Sequence, residues 1–366
     1  MDTITIDKGR VLIYRLFDVA LEIDLSMIER TAGEGAKRLR FSRTTYMKAL
    51  QFANPPISFE LSPFTKPLFE KETRVSVIAK AYDLGVVSIA FDVPIPPGTT
   101  LNKIEEVTRD LDGDRSIETR ALEYVSRLLA SLGSAVISPE IKEGFVEDYM
   151  VIYVEELGGG LRASEFLSRC DPSRLLLYEG RELSEFTKKE TLKHRFSYYP
   201  DDLIIVHIDN AFIIDPSGSS DLPDILEFAN AQIFELRYYD NVMDNELKAI
   251  YGELSGGGGV SFFRLREYER LARKITRIVT DMTEVTGKVN NALKVTEDVY
   301  YARIYRTFMA LLRSRDWEAS IKDKLDIVMN TYKMLHEEIS AKRAYAVELG
   351  IFILIAVEML LVFLRK

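Results

Sequence analysis

The stretch YAVELGIFILIAVEMLLVFLRK at 345–366 constrains this chain more than any other. From Val347 to Leu364 it is apolar apart from Glu348 and Glu358. As a helix, a run of this length extends roughly 27 Å, close to the ~30 Å hydrocarbon core of a bilayer. Lys342 and Arg343 flank one side, and Arg365 and Lys366 the other. A helix that is apolar all round belongs in lipid or in a protein core; the expectation is a membrane anchor, with a tail buried in a soluble oligomer as the alternative. Glu358 lies deep in the run, where a lipid-facing charge is costly. Glu348 is ten residues away, about 80° around the helix, so both glutamates can meet one partner helix. Ala344, Ala346, Gly350 and Ala356 permit close approach there, which predicts a homo-oligomer.

The rest is a different kind of chain. Residues 261–343 hold 17 Lys/Arg against 12 Asp/Glu, while the whole chain carries a net charge of −9, so an acidic head precedes a mildly basic segment. The N-terminus MDTITIDKGRVLIYRLF has no basic start before a long apolar run, and its early aspartates are unlike a transit peptide. The head is therefore expected in the cytoplasm. One cysteine, Cys170, excludes an internal disulfide framework.

Apolar periodicity divides the chain. RVLIYRLFDVALEI reads as a strand or a hairpin, and RVSVIAK, GVVSIAFDV and FVEDYMVIYVEEL as strands, from their near-alternating apolar residues. After PIPPGTT, Thr99 or Thr100 caps a helix beginning LNKIEEVTRDL, and SIETRALEYVSRLLASL follows as a second helix. GGG at 158–160 is a loop or a boundary between two lobes near 158–173. PDDLIIVHIDNAFIIDPSG reads as a hairpin turning at Asp209-Asn210. A long helix then runs over 222–254, with Pro223 in its first turn and Asp221 and Asp224 at the positive end of its dipole. The glycines of 256–260 read as a hinge. Beyond them, seams through Tyr268 to Met282 and Ile321 to Ile339 step by four and three as in coiled coils. RSRDW at 313–317 marks the turn of an antiparallel stalk over 261–343, whose last helix continues into the anchor at 344–366.

The C-terminal third resembles the "required for meiotic nuclear division" family. Trp317, Lys324-Leu325, Lys342-Arg343 and Glu348 followed by ILIAVE carry the likeness. GVVSIAFDV and ILEFANAQIFELRYYDNVMDNEL are similar to that family's opening strand and central helix. The resemblance spans about residues 80–366 and leaves 1–75 unaccounted for. It implies a membrane-associated homo-oligomer without established catalytic residues, and the lack of a visible mitochondrial presequence predicts a bacterial-type member. Mitochondrial members support organellar translation, which implies RNA or ribosome contact.

Chemistry-bearing motifs are sparse. Arg266, Arg270, Arg273 and Arg277 are spaced 4, 3, 4 on one helical face. That stripe can meet anionic lipid or RNA phosphates, or be a solvated or head-docking face. Asp240 interrupts the apolar seam between Leu236 and Met243, and a buried carboxylate needs a partner. Arg237, Arg303 and Arg306 are the candidates, for structure or interaction rather than catalysis. SGGGGVSFF and GGGLRASEF lack the Gly-Lys-Ser/Thr of a phosphate loop. Three histidines, His194, His207 and His336, make no zinc set, although His207 and Asp209 share a strand face. No Ser/His/Asp or Cys/His arrangement is recognisable. The expected molecule has an α+β head over 1–255, a stalk and a transmembrane helix. It acts as a non-catalytic, self-associating scaffold without metal or cofactor. An enzyme or small-ligand sensor in the head is the alternative.

Overall fold

The computed structural model describes residues 4–31, 36–38, 51–52, 54–141, 144–255, 270–277, 279–280, 283, 293–294 and 299–364. The chain forms two compact units. The first joins Met1–Glu235 to Lys288–Ser314, and the second joins Leu236–Gly287 to Arg315–Lys366.

The first unit is an α+β domain built on one mixed sheet. Its strands are β1 (Thr5–Asp18), β2 (Ala36–Arg38), β3 (Ile57–Leu68), β4 (Lys71–Ala81), β5 (Val86–Ile95), β6 (Thr99–Thr100), β7 (Val146–Leu157), β8 (Arg195–Phe196), β9 (Leu203–Val206) and β10 (Asn210–Ile214). Nine lie in the order β8-β9-β10-β7-β1-β5-β4-β3-β2, and β6 pairs with the start of β1. All neighbours run antiparallel except β7 and β10, which pair in parallel from Met150 opposite Asn210 to Val154 opposite Ile214. The glycines of 158–160 form a short 3-10 turn directly after β7, and the strands on either side join the same sheet.

β1 shows why this sheet is the centre of the unit. It pairs with β7 on one side and β5 on the other. Successive side chains of a strand point to opposite faces, and here both faces are apolar. Val11, Ile13 and Phe17 enter one core, while Tyr14 and Leu16 enter the other. The first core is closed by α2 (Leu101–Asp112) and α3 (Arg115–Leu132), through Ile104, Leu111, Ile117 and Val125. Thr100 caps α2 as the sequence predicts, its side chain accepting the Lys103 N–H. The second core takes the N-terminal half of α7 (Asp221–Ser255) and all of α8 (Val299–Leu311), through Leu226, Phe234, Ile304 and Phe308. Short helices α4 (Ala163–Arg169), α5 (Ser173–Leu176) and α6 (Glu185–Thr191) fill the connection from β7 to β8. The tight connection into β5 requires Gly85. Its φ is +92°, and a Cβ there would stand 2.0 Å from the Ala20 carbonyl oxygen.

Three sequence expectations change in detail. The hairpin turns at 207–209, and Asn210 is the first residue of β10 rather than part of the turn. α7 is not a helix with one apolar seam in its first half: residues 221–236 are buried on every side, polar ones included. A separate long stalk is not a feature of the described residues. The hinge at 256–260 and Arg266 lie outside them, and the turn falls at Leu312-Arg313, Arg313 having φ +59°. α8 belongs to the first unit, so it is no half of a stalk hairpin. The final helix, α9, runs unbroken over Ser314–Leu364, 51 residues, and includes the apolar run.

Candidate functional site

The most strongly organised polar cluster lies where β4 meets the N-terminus of α7. On β4, Val75, Val77, Ala79 and Ala81 face the first core, so Lys80 points to the opposite side. Asp224 and Glu227 lie three apart on α7 and share a face. The Lys80 Nζ donates to Asp224 Oδ1 at 2.5 Å and to Glu227 Oε2 at 2.5 Å. Ser220 donates its hydroxyl to Asp224 Oδ2 at 2.9 Å. Lys80 is 6% exposed, Asp224 5% and Glu227 0%, so the cluster is sealed. Tyr14, Tyr82 and Ser88 are buried around it.

Its electrostatics follow from one ammonium against two carboxylates. Burial works to lower the Lys80 pKa, but Asp224 and Glu227 outweigh it and hold the amine above its ordinary value, hence charged. Burial pushes the Glu227 carboxyl up, and the Lys80 charge only partly offsets that. Burial and the two carboxylates raise the Tyr14 and Tyr82 phenols, which stay protonated. An ammonium held between two carboxylates has no free lone pair to offer. The cluster ties β4, an interior strand of the sheet, to α7, with the helix dipole supporting the carboxylates at its N-terminus. Sequence reasoning missed Lys80 and Glu227 and assigned Asp224 to the dipole alone. The available signal was a lysine inside the apolar strand VSVIAKA and two carboxylates three apart at a helix start.

Within the second unit, Asp240 has a cationic partner, but it is Lys324 rather than an arginine. Lys324 Nζ donates to Asp240 Oδ1 at 2.8 Å and pairs with Asp244 at 2.7 Å, while the Ser320 hydroxyl donates to Asp240 Oδ1 at 2.6 Å. The Asp240 and Lys324 side chains are 13% and 15% exposed. Burial lowers the Lys324 pKa, but Asp240 and Asp244 raise it further, for a net rise.

Arg303 and Arg306 lie together on α8 in the first unit. With His194, Thr307, Ala310 and Leu311 they line a cleft of about 480 Å³. A second cleft, of about 370 Å³, is lined by Cys170, Asp171, Lys188, Lys189, Lys193 and Arg195 among others. The Cys170 thiol is pushed up to about 11, chiefly by burial and then by Asp171 and Glu105. Arg270, Arg273 and Arg277 are exposed on a helical segment at 270–277, spaced as expected. His207 is held below its ordinary pKa by burial, and its Nδ1 is buried without a hydrogen bond. Among the described residues no three His, Cys, Asp or Glu side chains gather as a metal set. Glu348 and Glu358 are both exposed on α9. Arg343–Leu361 is long and apolar enough to span a bilayer, with mean hydropathy 2.1 and none of it buried.

An α+β domain with one mixed sheet, helices on both faces and a cleft lined by Arg303 and Arg306 is thus the class of molecule. The chain belongs to the family described as "Uncharacterized protein MJ0711, N-terminal domain", which matches residues 8–221. It is 23% identical over 190 residues to "Uncharacterized protein MJ0711" of Methanocaldococcus jannaschii, an alignment covering 52% of this chain. The chain spans 58% of that relative's length. No solved structure matches the chain significantly. These matches correct the resemblance to the "required for meiotic nuclear division" family: the matching family is another one, and it rests on the sheet rather than on the C-terminal third. The likeness was strongest where helix periodicity and an apolar tail with basic flanks dominate the sequence. Helix packing and bilayer thickness impose such patterns on unrelated chains.

Proposed function

We propose that this protein is a non-catalytic, membrane-tethered scaffold, its α+β domain held at the cytoplasmic face by the apolar end of α9. The observation that carries the reading is the exposure of that end. Phe352 is 71% exposed, Leu354 70% and Met359 70%, and a continuous apolar surface of this kind needs lipid or protein to cover it. Self-association follows from Glu358, which in a lone span would face lipid. A second copy supplies a like face on which two carboxyls can share a proton. A binding rather than catalytic role is supported by the ion-paired state of Lys80 and the raised Cys170 thiol.

Fractionation tests this directly. The full chain is expected in the membrane pellet after alkaline carbonate washing, and a chain ending at Arg343 in the supernatant. In detergent, light scattering should give a multimer for the full chain and a monomer for the shortened one. A full chain that stays soluble without detergent would point to a tail packed in a protein core. A shortened chain that remains multimeric would move self-association to the rest of the molecule.

A further inference from the structure

The outer face of α8 carries two guanidinium groups that meet no carboxylate among the described residues. Arg303 and Arg306 are exposed and three residues apart, and they line one cleft with His194 and Thr307. Arg303 lies 5.7 Å from the ring centroid of Phe196. Arg306 donates its Nε to the Ala302 carbonyl at 3.1 Å, leaving its terminal nitrogens unused. Among the described residues neither arginine is ion-paired, whereas Arg10, Lys66, Lys80 and Arg174 of the same unit all are. In a chain of net charge −9, carboxylates are plentiful, so two adjacent unpaired guanidiniums facing one cleft stand out.

The cleft is also held by rigid elements. His194 immediately precedes β8, and its carbonyl accepts the Val206 N–H of β9 at 3.0 Å. Phe196, 9% exposed, anchors the strand in the second core beneath Arg303, and Ile304 and Phe308, both fully buried, fix α8. Placement of this kind fixes the backbone from which both arginines reach the cleft.

We propose that this cleft binds the phosphate group of a phosphomonoester. Each guanidinium is a planar fork that matches two oxygens, and a tetrahedral dianion has enough oxygens for both forks. Thr307 adds a hydroxyl, and the His194 ring an N–H. The volume, about 480 Å³, leaves room for an organic remainder. The phosphate can belong to a soluble metabolite or to a lipid headgroup; the chemistry recognised is the same. The inference stands on the cleft alone and does not need the anchor.

The test uses the full chain in detergent, with glycerol phosphate as the soluble probe at constant ionic strength set by chloride. Saturable binding is expected by calorimetry, weakened about tenfold for each arginine removed in Arg303→Gln and Arg306→Gln. Both side chains are exposed, so the unliganded melting temperature of the double variant should match the parent. In a second arm the chain is reconstituted in phosphatidylcholine nanodiscs with or without phosphatidic acid. Displacement of glycerol phosphate by phosphatidic acid assigns the cleft to a headgroup; binding of glycerol phosphate unaffected by it assigns a soluble ligand. Equal binding of both probes by parent and double variant, or by neither, would overturn the site.

Discussion

Replacing Lys80 by methionine isolates what the buried cluster contributes. The substitution keeps most of the apolar stem and removes the ammonium that Asp224 and Glu227 share at 2.5 Å each. Two carboxylates, 5% and 0% exposed, are then left side by side without a counter-ion. Breaking a buried pair in this way typically costs ~3–5 kcal/mol, and with two carboxylates stranded the upper half of that range is expected. For a unit of this size the melting temperature should fall by roughly 10 °C or more. The pH dependence gives the sharper signature. Glu227 is already raised above its ordinary value in the folded state, so the folded protein binds its proton more tightly than the unfolded chain does. A group shifted upward in this sense loses stability as pH rises from its unfolded value through its folded one. Without Lys80 the upward shift grows. The deficit of Lys80→Met should therefore be largest at neutral pH and shrink as the pH is lowered toward the ordinary carboxylate range. Thermal unfolding of parent and variant from pH 5 to 8 measures it. A variant carrying Lys80→Met, Asp224→Leu and Glu227→Met should regain most of the loss, because an apolar replacement of a whole buried cluster is often neutral. A deficit below ~1 kcal/mol, or one that does not change with pH, would mean that Lys80 does not neutralise the two buried carboxylates.

Other expectations are simpler. Asp240→Ala should lower stability by about 1–3 kcal/mol, because Lys324 retains Asp244 as a partner; Asp240→Asn, which can still accept from Ser320, should cost less in the same melting experiment. Gly85→Ala should abolish soluble expression or lower the melting temperature strongly, since its Cβ would stand 2.0 Å from the Ala20 oxygen; an unchanged melt would mean the connection can move aside. Glu358→Leu in the full chain should keep membrane binding and shift the detergent-solubilised protein toward smaller assemblies by light scattering.

Strand and helix alternation in the first unit was legible because its signals are local. The two-residue period of GVVSIAFDV, the Thr100 cap and the first-turn Pro223 each specify their element without distant help. Two features were not legible, for different reasons. The full burial of residues 221–236 cannot be read from periodicity, because a helix enclosed on all sides shows no single apolar stripe, and the elements that enclose it are distant in sequence. Asp224 and Glu227 find Lys80 more than 140 residues away. Gln232 likewise accepts from the Tyr305 hydroxyl at 2.5 Å. Sequence spacing indicated that Asp240 needed a cation but pointed to Arg237, Arg303 and Arg306; the partner is Lys324, 84 residues away, which nothing local to Asp240 announces. The family resemblance of the C-terminal third misleads for a related reason. The most conspicuous stretch is apolar and helical, and such stretches carry little lineage information, whereas the sheet at 8–221 carries the match.

Fluorescence at its midpoint reports whether the end of α9 lies in a bilayer. The chain has one tryptophan, Trp317. With Trp317→Phe and Phe352→Trp combined, a single indole reports from the middle of Arg343–Leu361. In vesicles of lipids brominated at different depths, quenching should be strongest for bromines near the acyl-chain ends, with little quenching by aqueous iodide. Strong iodide quenching and no response to bromolipid would contradict the account and place Phe352 in water or at a protein surface.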